Sequence, residues 1–366
     1  LSWSPDGTRL ALLAESGGRP ALYVVTMATG AVRQVALLRG NSAILQWSPD
    51  GRRIGFLNTE KPSRPSGPLA PQGRDTGVIG RQFDIQRIAV VDVQTGVVRQ
   101  VSRADLYVHE FMWSPDGTRF LAAAAPGQGD SGWYTDQIWI MDASGVAARS
   151  LGTPGMQISS LRWSPDGTRI AYVGGLMSDE GVPGGDVYVI DAAGGAPRNL
   201  TPGVAVSPNW LAWTGGGSRI LFTAWADGGS AIGTVDVPAG GSKILWKAGE
   251  SIRAVAGVGV GGLALSADGA VSALIRHSFE RPPEVWAGPI GNWRQVTRVN
   301  DGLESVVGKV DDLHWTSDAF TVQGWLLRPK TYDANRRHPM VVLVHGGPAS
   351  AHQPQWLNSA NATERT

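Results

Sequence analysis

Cysteine is absent from the 366 residues, which excludes disulfides, thiolate metal sites and a cysteine nucleophile, and fits a reducing and an oxidising compartment equally well. No apolar run approaches the roughly 20 residues of a membrane-spanning helix, so no membrane partner is expected. Blocks of like charge are missing too: 32 Lys+Arg against 31 Asp+Glu leave a net charge of +1, without the electrostatic footprint that a nucleic-acid partner requires. There is no His-x-x-x-His or comparable cluster, so neither a metal site nor a cofactor is expected. The chain opens on "LSWSPDGTRL", neither a Met nor a signal peptide. A longer N-terminus is therefore expected, and the compartment, cytoplasmic or periplasmic or secreted, stays open.

What the chain has in abundance is repetition. "LSWSPDGTRLALL" from Leu1 returns from Leu45, Phe111 and Leu161, and two worn copies follow from Leu211 and Leu263. The aligned positions Trp3, Trp47, Trp113, Trp163, Trp213 and Leu265 recur at steps of 44 to 66 residues, the mark of a repeat array. Alternating apolar residues flank each motif and read as two strands. Between them Ser-Pro-Asp-Gly supplies a preset φ, a turn-forming carboxylate and a glycine able to take positive φ. A second hairpin follows in each copy, as in "RIAVVDVQTGVVRQV" from Arg87. Four strands per repeat make one propeller blade, so the expectation is an all-β propeller of six visible blades, with a seventh upstream in a longer protein. Each motif Trp is expected to pack between adjacent blades. The motif is read as structural, a bound ion at its Asp side chains being the alternative.

The longest step holds an insertion, residues 59–83, too rich in Pro, Gly and Arg for a strand. It reads as a loop between two hairpins, either solvated or lining the mouth of a site. The blade pattern ends near residue 298. After a linker over 299–310 a different pattern begins at Asp311: two short strands around Ser317 and Asp318, then the unbroken apolar run 340–344, as expected of a parallel strand buried on both faces. The domain reading is therefore a propeller over 1–298 and the start of a second domain over 311–366.

The order of propeller, "GWLLRPK" from Gly324 and "VVLVHGGP" from Val341 resembles the prolyl oligopeptidase family of serine peptidases, especially its acylaminoacyl-peptidase and dipeptidyl-peptidase-like branches. "RPPEVWAG" from Arg281 is similar to that family's last-blade segment, and the resemblance covers essentially the whole chain. It implies a propeller over an α/β-hydrolase domain, admitting short peptide substrates. Oligomeric state is not written in the sequence, and a homo-oligomer is left open. The pieces taken singly are less specific, because His-Gly-Gly occurs in lipases and esterases and the repeat occurs in non-enzymatic TolB-type propellers. A binding propeller and an esterase with an appended propeller are the competing readings.

In an α/β-hydrolase the loop after such a strand donates a backbone N–H to the oxyanion hole. The resemblance assigns that donor to Gly347, with Gly346 shaping the turn. His345 stands where some family members carry a tyrosine. It also makes Asp179 and Glu180, in the loop of the fourth visible blade, candidates for holding a substrate's amino terminus, with two solvated loop acids as the alternative. The nucleophile should sit in Gly-x-Ser-x-Gly, and no such motif occurs. The expectation is that Ser, Asp and His of a triad lie beyond Thr366. His109, His277, His314, His338 and His352 are read as ordinary surface or inter-strand residues rather than as members of one.

Overall fold

The computed structural model describes residues 1–60, 84–127, 130–152, 154–178, 181–254, 262–346 and 350–357. Six antiparallel sheets follow one another along the chain, each with its strands laid side by side in sequence order. Blade 1 is built from Ser2–Trp3, Arg9–Ser16, Arg19–Thr26 and Ala31–Leu37; blade 2 from Asn41–Trp47, Arg53–Thr59, Arg87–Asp92 and Val98–Gln100. Blade 3 comprises Leu106–Trp113, Arg119–Pro126, Gln137–Asp142 and Ala148–Ser150, and blade 4 comprises Gln157–Trp163, Arg169–Gly175, Asp186–Asp191 and Arg198–Asn199. Blade 5 has Ser207–Thr214, Arg219–Ala226, Gly229–Asp236 and Ser242–Ala248. In blade 6 the innermost position is divided between two short strands, Ser251–Arg253 and Ala264–Leu265, which both pair with Ser272–His277; Glu284–Gly288 and Arg294–Gln295 complete it.

Two compact units make up the chain, Leu1–Ile170 with Ile190–Ala196 and Ala171–Val189 with Pro197–Thr366, the division passing through blade 4. In the first unit the repeat motif works as the local chemistry dictates. In the first copy Asp6 Oδ1 accepts from the Ser4 hydroxyl at 2.6 Å, the Thr8 N–H at 3.0 Å and the Thr8 hydroxyl at 2.8 Å. Gly7 closes the turn at φ +67°. These donors, Ser4 foremost, draw the Asp6 carboxyl down to about 2. Asp116 and Asp166 repeat the arrangement at the same value. An oxygen taken up by three protein donors has a structural task, which is the reading expected of the motif.

Trp47, Trp113 and Trp163 pack as expected, held by a contact absent from the sequence reading, whereas Trp3 of the first copy departs from the expectation and is 52% exposed. Trp47, Trp113 and Trp163 are buried. The Trp47 Nε1–H donates to Ser2 O at 3.0 Å and the Trp113 Nε1–H to Gln46 O at 3.1 Å, each reaching the preceding blade. Over each ring lies the arginine that follows the preceding motif: Arg9 over Trp47, Arg53 over Trp113 and Arg119 over Trp163. Two apolar clusters, around Phe56 and Ile54 and around Phe111 and Phe120, fill the space between these blades.

The second unit has its own core around Phe222, Val187 and Ile220, and a further cluster of Trp293, Leu274 and Ile232 in blades 5 and 6. Beyond blade 6, Val307–Ser317 and Phe320–Pro329 form a two-stranded hairpin, longer than the two short strands expected there. The structure departs from expectation at residues 340–344. They are not in a strand, and Met340 and Val344 are 73% and 86% exposed. A central parallel strand owes its order and burial to strands paired on both edges; among the described residues none pairs with this run. The insertion loop, apart from Thr59 and Glu60, lies outside the described residues.

Candidate functional site in the second unit

A cleft of about 330 Å³ opens in the second unit. Its floor comes from blade 5, where the register between Ser207–Thr214 and Arg219–Ala226 slips between Pro208 and Trp210. The bulge gives the inner strand one extra residue, Asn209, and bulges re-aim side chains in this way at the rims of sheets. Asn209 is buried and its Oδ1 accepts from the Thr223 hydroxyl at 2.6 Å, which fixes the amide's orientation. Trp225 and Ser230 come from the next hairpin, and Ser251 and Arg253 from the three-residue inner strand of blade 6.

The C-terminal segment closes the other side. His345, Ser350, His352 and Gln353 line the cleft. The Ser230 hydroxyl donates to Gln353 Oε1 at 3.5 Å, and the His345 and His352 rings meet edge to face with centroids 5.7 Å apart. Trp356 and Leu357 are buried, and the Trp356 N–H donates to His277 Nδ1 at 3.4 Å. Burial, reinforced by the positive charge of Arg253, pulls His277 down to about 4. It is therefore a neutral acceptor, as this hydrogen bond requires. Burial also lowers Arg253 from its ordinary value, the sign of a guanidinium stripped of part of its hydration.

Of the residues singled out in the sequence, His345 is in the cleft wall. Its Nδ1 lies 3.1 Å from Gly346 O. A side chain at Gly346 would meet no atom within 4 Å, so nothing in its described surroundings demands glycine. Gly347, Asp179 and Glu180 lie outside the described residues, although Gly181 and Val182, next along the chain, line the cleft. The remaining histidines have separate settings. His109 is buried with its Nδ1 2.9 Å from Asp136 Oδ1, His314 sits 2.7 Å from Asp227 and His338 is held by Asp333 O at 2.9 Å. The cleft residues Asn209, Trp225, Ser251 and Arg253 escaped the sequence reading. Their one local signal is the alternation Ser-Ile-Arg, which sets Ser251 and Arg253 on the same face of a strand.

The comparisons with known proteins agree with this architecture. No family model matches the chain. Local sequence similarity reaches 32% over 73 residues, 19% of this chain and 11% of the relative, with an uncharacterized peptidase, YuxL, of Bacillus subtilis. It reaches 50% over 42 residues, 12% of this chain and 10% of the relative, with the Tol-Pal system protein TolB of Bordetella pertussis. Among solved structures, acylaminoacyl peptidase of Pyrococcus horikoshii superimposes with a TM-score of 0.68 at 16% identity, covering 97% of this chain and 54% of that one. A prolyl endopeptidase gives 0.62 at 16% identity over 91% of this chain and 46% of that one. The β-propeller domain of the trilobed protease from Pyrococcus furiosus gives 0.55 at 15% identity over 81% and 80%. The chain thus spans about half the length of the solved acylaminoacyl peptidase. The fold is a six-bladed β-propeller of antiparallel sheets, similar to those carried by acylaminoacyl peptidase and prolyl endopeptidase.

Proposed function

We propose that this chain is the propeller portion of a serine-type peptidase of the prolyl oligopeptidase family that cleaves short peptides, with residues 311–366 leading into its α/β-hydrolase domain. The observation that carries the reading is the cleft, in which His345, from the expected oxyanion loop, faces blade residues Asn209, Trp225 and Arg253. In this reading Gly347 supplies the oxyanion N–H, and the propeller limits which peptides reach it. Asp179 and Glu180, directly before two cleft-lining residues, hold the peptide's amino terminus. One solved acylaminoacyl peptidase carries a peptidyl chloromethyl ketone, Z-Gly-Gly-Phe, which supports a peptide as the ligand class. A binding propeller without catalysis is the second reading, supported by the 50% match to TolB.

The test compares this chain with a form extended past Thr366, each treated with a fluorophosphonate probe and with aminoacyl and acyl-aminoacyl chromogenic substrates. Labelling and turnover confined to the extended form support the peptidase. In that form Gly347→Pro, which deletes the N–H, should lower turnover by ~10²–10³. Stoichiometric labelling of the 366-residue chain would relocate the active site, and no labelling of either form would favour the binding propeller.

A further inference from the structure

We infer that the cleft of the second unit contains a subsite for one peptide bond of a bound ligand, in which the Ser251 hydroxyl and the Gln353 side-chain amide donate to a backbone carbonyl; that the ligand is a peptide rests on the function proposed above. Both residues line the cleft, one from blade 6 and the other from the C-terminal segment. Ser251 is 2% exposed, and its Oγ is the one fully shielded Ser, Thr or Tyr hydroxyl without a hydrogen-bond partner among the described residues. Buried hydroxyls elsewhere in the sheets are taken up: Ser102 Oγ accepts from the Ile88 N–H at 2.9 Å, Thr201 Oγ1 from the Val187 N–H at 2.9 Å and Ser272 Oγ from the Trp293 Nε1–H at 2.7 Å. A shielded hydroxyl left unbonded is unfavourable, and such groups mark places where a ligand or water completes the bonding.

The second observation comes from the other wall. Gln353 Nε2 is also shielded and without a partner among the described residues, while its Oε1 takes the Ser230 hydroxyl at 3.5 Å, which leaves the amide N–H groups for another acceptor. The fold brings the two residues to one place. Ser251 stands opposite His277 in the antiparallel ladder, so both side chains project to the same face, and His277 Nδ1 accepts the Trp356 N–H at 3.4 Å. The C-terminal segment therefore lies on the face to which Ser251 projects, with Gln353 held next to the buried Pro354, Trp356 and Leu357. A peptide carbonyl has two lone pairs, one for the Gln353 Nε2–H and one for the Ser251 Oγ–H. Neither contact reads a side chain, so the subsite holds the backbone of a peptide without selecting its sequence, and Trp225 adds an aromatic wall.

The experiment is calorimetric titration of the 366-residue chain with N-acetyl-Ala-Ala methylamide, blocked at both ends so that no ionic contact contributes, with analogues in which each of its amide bonds in turn is a trans C=C, and with the neutral trisaccharide maltotriose. One analogue should bind roughly 5- to 100-fold more weakly than the parent, as expected for two lost neutral hydrogen bonds. That deficit should shrink several-fold in Ser251→Ala and in Gln353→Met, and vanish in the double variant. Ser251→Ala reads the hydroxyl a second way: without ligand its denaturation midpoint should equal or exceed the wild type's, because an unbonded buried hydroxyl has been removed. A fall in that midpoint would show that Oγ is bonded within the protein and overturn the subsite. Peptide binding with no deficit in any analogue, or a deficit unchanged in both single variants, overturns the subsite and leaves the peptide reading standing. Maltotriose binding weakened by both substitutions, with no peptide bound, removes the peptide from the cleft and the peptide reading with it. Failure of every probe to bind overturns both.

Discussion

Arg9 lies with its guanidinium carbon 4.6 Å from the centroid of the Trp47 ring and donates through Nη2 to Gly51 O at 3.0 Å. One side chain thereby joins the turn of one repeat to the tryptophan and the turn glycine of the next. Arg53 repeats the arrangement on Trp113 at 4.9 Å and Gly117 O at 2.9 Å, and Arg119 lies 5.2 Å from the Trp163 centroid. The repeat motif therefore does two tasks, a turn within its own blade and a fastening to its neighbour.

Arg53→Ala should lower the stability of the first unit by about 1–3 kcal/mol, the sum expected of a partly buried cation–π contact and a charged hydrogen bond. Arg53→Lys keeps the charge but loses the flat stack and should recover less than half of that. Denaturant unfolding followed by tryptophan fluorescence measures both. Equal stability of the three proteins would show that the contact is incidental.

Two histidines should titrate on opposite sides of the ordinary imidazole value. His277, buried and beside Arg253, is depressed to about 4, so the folded state pays nothing for it above the unfolded value of 6.5. Between 6.5 and 4 the unfolded chain binds the proton more readily, and stability falls by up to roughly 3 kcal/mol as pH is lowered. His314 is raised, its hydrogen bond with Asp227 foremost among the causes. Its contribution is complete below 6.5 and is lost as pH rises through its folded value, while Asp227, itself lowered, stays ionised across that window. NMR titration of the imidazole C–H signals gives both directions, and a His277 signal that titrates above that of His314 would contradict them.

Ile44 holds φ at +50° in the bulged inner strand of blade 2, with its side chain 48% exposed. A left-handed conformation costs an L-residue roughly 1–2 kcal/mol and suits Asn far better than a β-branched residue. Ile44→Asn should therefore raise stability by about 0.5–1 kcal/mol, and Ile44→Val should bring no gain. Thermal unfolding of the two variants decides it, a loss in Ile44→Asn meaning that the Ile44 side chain packs more strongly than its exposure suggests.

The blades were legible in the sequence because every instruction they need is local. Pro5 presets a dihedral, Asp6 binds donors two residues away on either side, Gly7 takes positive φ, and period-two alternation carries the strands on either side. The Arg9 to Trp47 fastening was not legible, since it joins positions 38 residues apart whose meeting depends on how one sheet packs on the next. Residues 340–344 show the limit from the other direction: their composition reads as a buried strand, but burial is granted by neighbouring strands and not by the run itself, and the described structure leaves them exposed. The candidate site divides in the same way. His345 stood out through the loop motif around it, whereas Asn209, Ser251 and Arg253 carry no motif. Only tertiary structure decided that they share a cleft, because a bulge, a short inner strand and a docked C-terminal segment had to bring separate stretches of chain together before their donors could face one ligand.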